Sequence, residues 1–179
     1  MSSRNNKISL HNIVAVPVAF IVLGAFAMSI AAVMENVHFI NATNQIFSLV
    51  STVRMTTSDQ KTFIEMPGED VWADLERAAR IPADTPRTNP WHGNIRILSL
   101  SDKAMRIESD LPTHDCRRLV EYFLSHQPAD LGLLAIEAQS LNNSTWLRLY
   151  PLQTAHNYMT NTACGTSPYA RLALIFTIR

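Results

Sequence analysis

The chain has 179 residues and a formal net charge of zero, 15 Lys and Arg against 15 Asp and Glu. It therefore carries no electrostatic footprint for nucleic acid. Only 17% of residues are charged against 47% hydrophobic, a low charge content to which a single apolar segment contributes.

Residues 1–12 form a short stub bearing Arg4 and Lys7. Ile13 to Met34 then runs uncharged for about twenty residues, the length a helix needs to cross roughly 30 Å of hydrocarbon. Ser29 and the carbonyl freed by Pro17 can be satisfied within such a helix. The basic flank is expected to stay cytoplasmic and the C-terminal bulk to be exported. A cleaved secretory signal is the competing reading, but its apolar region runs only about 7–15 residues. Residues 35–57 contain no Pro or Gly and repeat Val37, Ile40, Ile46, Phe47, Leu49, Val50 and Val53 at helical spacing. Asn12 to Thr57 then reads as one helix of about 45 residues, ~68 Å long. A break near Asn41–Asn44 is the alternative.

Residues 58–179 are left for one exported α+β domain, long enough for a core of its own. Ser58 to Gly68 is a polar connector closed by Met66-Pro67-Gly68. Glu69 to Arg80 places acids first and bases last, as the helix dipole favours, with Val71, Trp72, Leu75 and Ala79 on one face. Ile81 to Pro90 holds three prolines and reads as irregular. Asn94–Leu100 alternates Ile95, Ile97 and Ser99, and Ala104–Ser109 alternates Met105 and Ile107; with Ser101-Asp102-Lys103 between them they predict a hairpin. Thr113 is a candidate cap for a helix whose stripe is Cys116, Leu119, Val120, Phe123 and Leu124, ending at Gln127-Pro128. Leu131–Ala138 and Thr145–Tyr150 read as strands. Arg171–Ile178 is apolar on both faces, predicting a central strand with the long helix on one side and the Cys116 helix on the other.

Cys116 and Cys164 are the only cysteines. In an oxidising compartment an isolated pair reads as one disulfide; two buried thiols are the alternative.

The run Leu75-Glu-Arg-Ala-Ala-Arg-Ile-Pro-Ala-Asp84, then Thr88-Asn-Pro-Trp-His-Gly93 leading into a strand, resembles the type IVb pilins, nearest to the thin-pilus branch of conjugative plasmids. That family then presents a helix with a cysteine near its start, as in Cys116-Arg-Arg-Leu119, and a second near the C-terminus, as in Ala163-Cys-Gly-Thr-Ser-Pro-Tyr169. The resemblance spans the chain in order and rests on the sequence of short motifs. It implies a pilin-like α+β fold: a long N-terminal helix, transmembrane and then amphipathic, packed on an antiparallel sheet with a further helix. It also implies a structural subunit (pilin, minor pilin or pseudopilin) without a cofactor. Its partners would be other pilin subunits, inner-membrane lipid and the pilus assembly machinery. The assembly helix would present Pro17, Phe20, Gly24, Phe26 and Glu35. The chain departs from the family where its leader peptidase acts: no Gly precedes Ile13 and the only acid before Asp59 is Glu35, so neither family residue is carried over. A permanently anchored periplasmic domain serving a secretion or conjugation apparatus is the second reading.

Other chemistry is weakly signalled. His114 and Asp115 beside Cys116 point in different directions on a helix, which argues against a nucleophile and base. His92, His126 and His156 lack metal-ligand spacing. Asn89, Pro90 and Trp91 mark either an interaction loop or a loop packed on the sheet. The expectation is a non-enzymatic protein without metal.

Overall fold

The computed structural model describes the backbone of residues 10–57, 68–101, 103–126, 129–151 and 156–178; the side chains of 10–26, 56–57 and 156–159 are not described. Two compact units are formed, Met1–His38 and Phe39–Arg179. Helix α1 is Leu10–Thr57. In the first unit Met28, Ile30, Val33, Met34 and Val37 are exposed. Among the described residues no helix is long and apolar enough to cross a membrane. The expected span 13–34 falls largely on undescribed side chains, those of Pro17, Phe20, Gly24 and Phe26 included. The connector up to Pro67 and the Gln127-Pro128 stop also lie outside the described residues.

The second unit is α+β, built on a five-stranded antiparallel sheet: β1 (Ile95–Ser101), β2 (Ala104–Pro112), β3 (Leu133–Ser140), β4 (Leu147–Tyr150) and β5 (Tyr169–Thr177). The strand order is β1-β2-β5-β3-β4, which puts β5 in the centre. The expected hairpin is present, with Ile97 opposite Ile107 and Ser99 opposite Met105. Alternation fixes which face is inside: Ile95, Ile97 and Ser99 are buried while Arg96 and Leu98 are only half-buried. Three helices join the sheet, α2 (Trp72–Arg77), α3 (Thr113–Ser125) and α4 (His156–Cys164).

One apolar layer holds this unit together. On α1, Ala42, Ile46, Leu49, Val50 and Val53 are buried at the spacing of a helix stripe. The Phe123 ring of α3 lies between those of Phe47 of α1, tilted at 5.7 Å, and Phe176 of β5, edge-on at 6.4 Å. Both helices therefore lie on the Phe176 face of the sheet. This corrects the expectation of one helix on each face; the opposite face is covered by charged side chains, described below. The stripe also needs correction at its start: Ile40 is 56% exposed, and Phe39 takes the inward place, edge-on to Tyr122 at 5.8 Å. Two clamps fix α1 to the domain. Gln45 donates to the carbonyls of Pro86 and Thr88, and Arg54 donates to those of Thr177 and Leu131.

Helix α2 is shorter than the expected Glu69–Arg80. Its first residues instead run along the edge of β1, with Val71 N donating to Ile97 O and Ser99 N to Glu69 O. Its end is set by Ala79, exposed at φ 54, after which Ile81 rather than Ala79 enters the core. Thr113 does not cap α3: Pro112 is the N-cap residue, and the Thr113 hydroxyl donates to the Ser167 carbonyl. Four of the five predicted α3 stripe residues are buried; Leu124 is half-buried. Helix α4 has no counterpart in the sequence reading. Its His-Asn-Tyr-Met-Thr-Asn-Thr run is poor in strong helix formers, and it is held by tertiary contacts, Thr160, Ala163 and Cys164 being buried.

Candidate assembly surface

The Asn89-Pro90-Trp91 loop is organised by one side chain. Asn89 is buried; its Oδ1 accepts from the backbone N–H of Trp91 and of Gly93, both at 2.9 Å. Its Nδ2 donates to Ser109 Oγ at 2.9 Å and to the Asp110 carbonyl at 2.6 Å. All four hydrogen-bonding positions of the amide are thus used within the fold. The turn brings residue 93 against β2 so closely that a Cβ there would fall on the Asp110 carbonyl, which only glycine avoids. Trp91 is half-buried and packs against the core. Replacing Asn89 by Ala orphans several of these groups and is expected to cost about 3 kcal/mol, read as a lowered urea midpoint. Gly93→Ala should be at least as damaging by the same measurement.

The face of the sheet away from the helices carries a ladder of charge that crosses all five strands. Arg96 of β1 pairs with Glu108 of β2. Arg106 of β2 donates to Glu108 at 2.8 Å and to Glu137 of β3 at 2.7 Å. Glu137 also accepts from Arg148 of β4 at 2.7 Å. Arg106 can reach over β5 because Ala173, opposite both Glu108 and Glu137, is a single methyl. The middle of the ladder is desolvated, with side-chain exposures of 7% for Glu108, 13% for Arg106 and 10% for Glu137. The Arg106 guanidinium lies 4.1 Å from the Trp146 ring centre, a cation–π cover. Alongside, Arg171 makes a two-pronged contact with Asp110, whose hydrogen bond raises the guanidinium pKa above its usual value while burial opposes it.

These paired charges were not singled out from sequence. The signal was present: Arg96, Arg106, Glu108, Glu137 and Arg148 each adjoin in sequence a buried apolar residue of their own strand, among them Ile97, Ile107, Ile136 and Leu149. Which charge meets which depends on strand order, which a sequence does not display.

Cys116 and Cys164 form a disulfide across a sequence separation of 48, with Cα atoms 6.0 Å apart. It joins the first turn of α3 to the end of α4, and Arg117 donates to the Gly165 carbonyl next to it. Both cysteines are fully buried, so no thiolate chemistry is available there. Asp115 is buried and lies 3.7 Å from Arg118. Among the described residues no three His, Cys, Asp or Glu side chains are grouped to hold a metal. Glu35 is exposed on α1.

Among its described residues the first unit carries exposed apolar side chains. Met28 is 71% and Val33 62% exposed, beside Ile30 and Met34. A helix segment apolar all round is stable only against lipid or other helices. Comparison of the chain with protein-family models and with curated proteins finds no match.

Proposed function

We propose that the chain is a structural subunit of a type IV-like pilus, as a pilin, minor pilin or pseudopilin, and not an enzyme. In this reading residues 13–34 hold the subunit in the inner membrane before assembly and residues 58–179 form the exported, pilin-like domain. Other subunits of the same kind, lipid and the assembly machinery are its partners.

The observation that carries the reading is the contrast along α1. Ala42, Ile46, Leu49, Val50 and Val53 are buried in the α+β unit, whereas Met28, Ile30, Val33 and Met34 are apolar and exposed. Such a helix has one stretch committed to its own domain and another that requires lipid or neighbours. The buried disulfide adds support, since such bonds persist in exported proteins.

A cysteine placed at Val33 tests the reading, because both native cysteines are already bonded to each other. In cells making Val33→Cys, mild oxidation should give disulfide-linked subunits in a surface fraction. Monomer alone, with the variant correctly exported, would sink the filament assignment. The second reading, an anchored periplasmic domain that binds a partner in a secretion or conjugation apparatus, is favoured by one observation. The residues around Ile13 do not reproduce the family's processing pattern. Under it the same variant cross-links to a different protein or not at all.

A further inference from the structure

We propose that Asn143 is a site of spontaneous modification, converting to aspartate and isoaspartate within the folded chain. The backbone nitrogen of Ser144 attacks the side-chain carbonyl carbon of Asn143. The bond from that carbon to Nδ2 breaks, and Nδ2 leaves as ammonia, taking up the proton lost by the attacking nitrogen. A five-membered cyclic imide results, and water opens it at either carbonyl to give aspartate or isoaspartate. Nothing is oxidised or reduced, and water is the only co-reactant.

Three observations single out this residue. The turn between β3 and β4 is exposed at each position from Leu141 to Thr145, so water reaches it. Asn143 is followed by the small Ser144 and lies outside any helix or strand. Asn41, Asn44 and Asn161 sit in helices, Asn89 precedes Pro90, which has no N–H, and Asn94 precedes the β-branched Ile95. Finally, Asn143 Oδ1 accepts a hydrogen bond from Thr145 N at 3.0 Å, while Asn143 N donates to Ser140 O at 2.9 Å. The first bond folds the amide back over the backbone that must attack it. It also withdraws electrons from the carbonyl, which makes its carbon a better target.

The product has a consequence for the fold. Isoaspartate inserts one more carbon into the main chain of the turn, and either product adds a negative charge. Strand β4 begins soon after and is only four residues long. It is registered on β3 through Ala138–Leu147, Glu137–Arg148 and Ile136–Tyr150. Lengthening the turn works against that register and so against the Arg148 end of the charge ladder.

The test incubates the full chain in detergent at mildly alkaline pH and maps peptides for acid at each asparagine, with enzymatic methylation of isoaspartate as a second readout. Position 143 should convert ahead of Asn41, Asn44 and Asn161, and Asn143→Gln should abolish most of the isoaspartate signal, because glutamine must close a six-membered ring. Amide exchange in β4 should rise with conversion. An intact Asn143 in the folded chain, while the same chain unfolded in urea converts, would overturn the proposal. Conversion no faster than at the helical asparagines would do the same.

Discussion

Opening the Cys116–Cys164 bridge is expected to lower the stability of the Phe39–Arg179 unit by about 4 kcal/mol, the loop-closure entropy for a loop of this length. The loop of 48 residues contains most of α3, all of β3 and β4, and α4. Helix α4 depends on it most, since its sequence has little helix propensity of its own. Paired Cys116→Ala and Cys164→Ala substitutions should therefore lower the melting temperature by about 10 °C or more. Reduction of the native chain should have the same effect, with loss of protection beginning in α4. An unchanged melting temperature would mean that burial of Cys116 and Cys164 in the core, rather than the bond, holds this region.

The second large effect is expected from Glu137. Its carboxylate is the shared acceptor of Arg106 and Arg148, and it lies in the desolvated middle of the ladder. Glu137→Ala leaves the mostly buried Arg106 with Glu108 alone, and removal of one partner from a buried pair costs about 3–5 kcal/mol. Glu137→Gln keeps the shape and some hydrogen bonds and should lose less. The contrasting control is the exposed pair Arg77–Asp74, with side chains 77% and 63% exposed, where Arg77→Ala should change stability by well under 1 kcal/mol. Urea unfolding of the three variants gives the ranking directly. Equal losses at Glu137 and Arg77 would show that water reaches the ladder freely.

The parts of the fold that were legible in the sequence are those set by short-range pattern. The β1–β2 hairpin follows from period-two alternation around Ile95, Ile97, Met105 and Ile107, and α3 from the spacing of Cys116, Leu119, Val120 and Phe123. The central place of β5 followed from its double-sided apolar character. What covers its second face did not. Ala173 and Ile175 are buried there beneath charged side chains gathered from four other strands. Alternation records that a residue faces away from the core but not whether its neighbours neutralise it. The late start of α2 was hidden for a related reason: the pull of the β1 edge on Glu69 to Val71 is a tertiary effect. In the Asn89 loop the motif was visible, but its use of all four amide positions to pin Gly93 against β2 was not.

The measurement that bears most directly on the filament proposal is the location, mass and N-terminal sequence of the chain in membranes and in sheared surface filaments. The account predicts the chain in the sheared fraction, polymeric, with Cys116 and Cys164 bonded to each other. Recovery only from the cytosol, with both cysteines reduced, would contradict it.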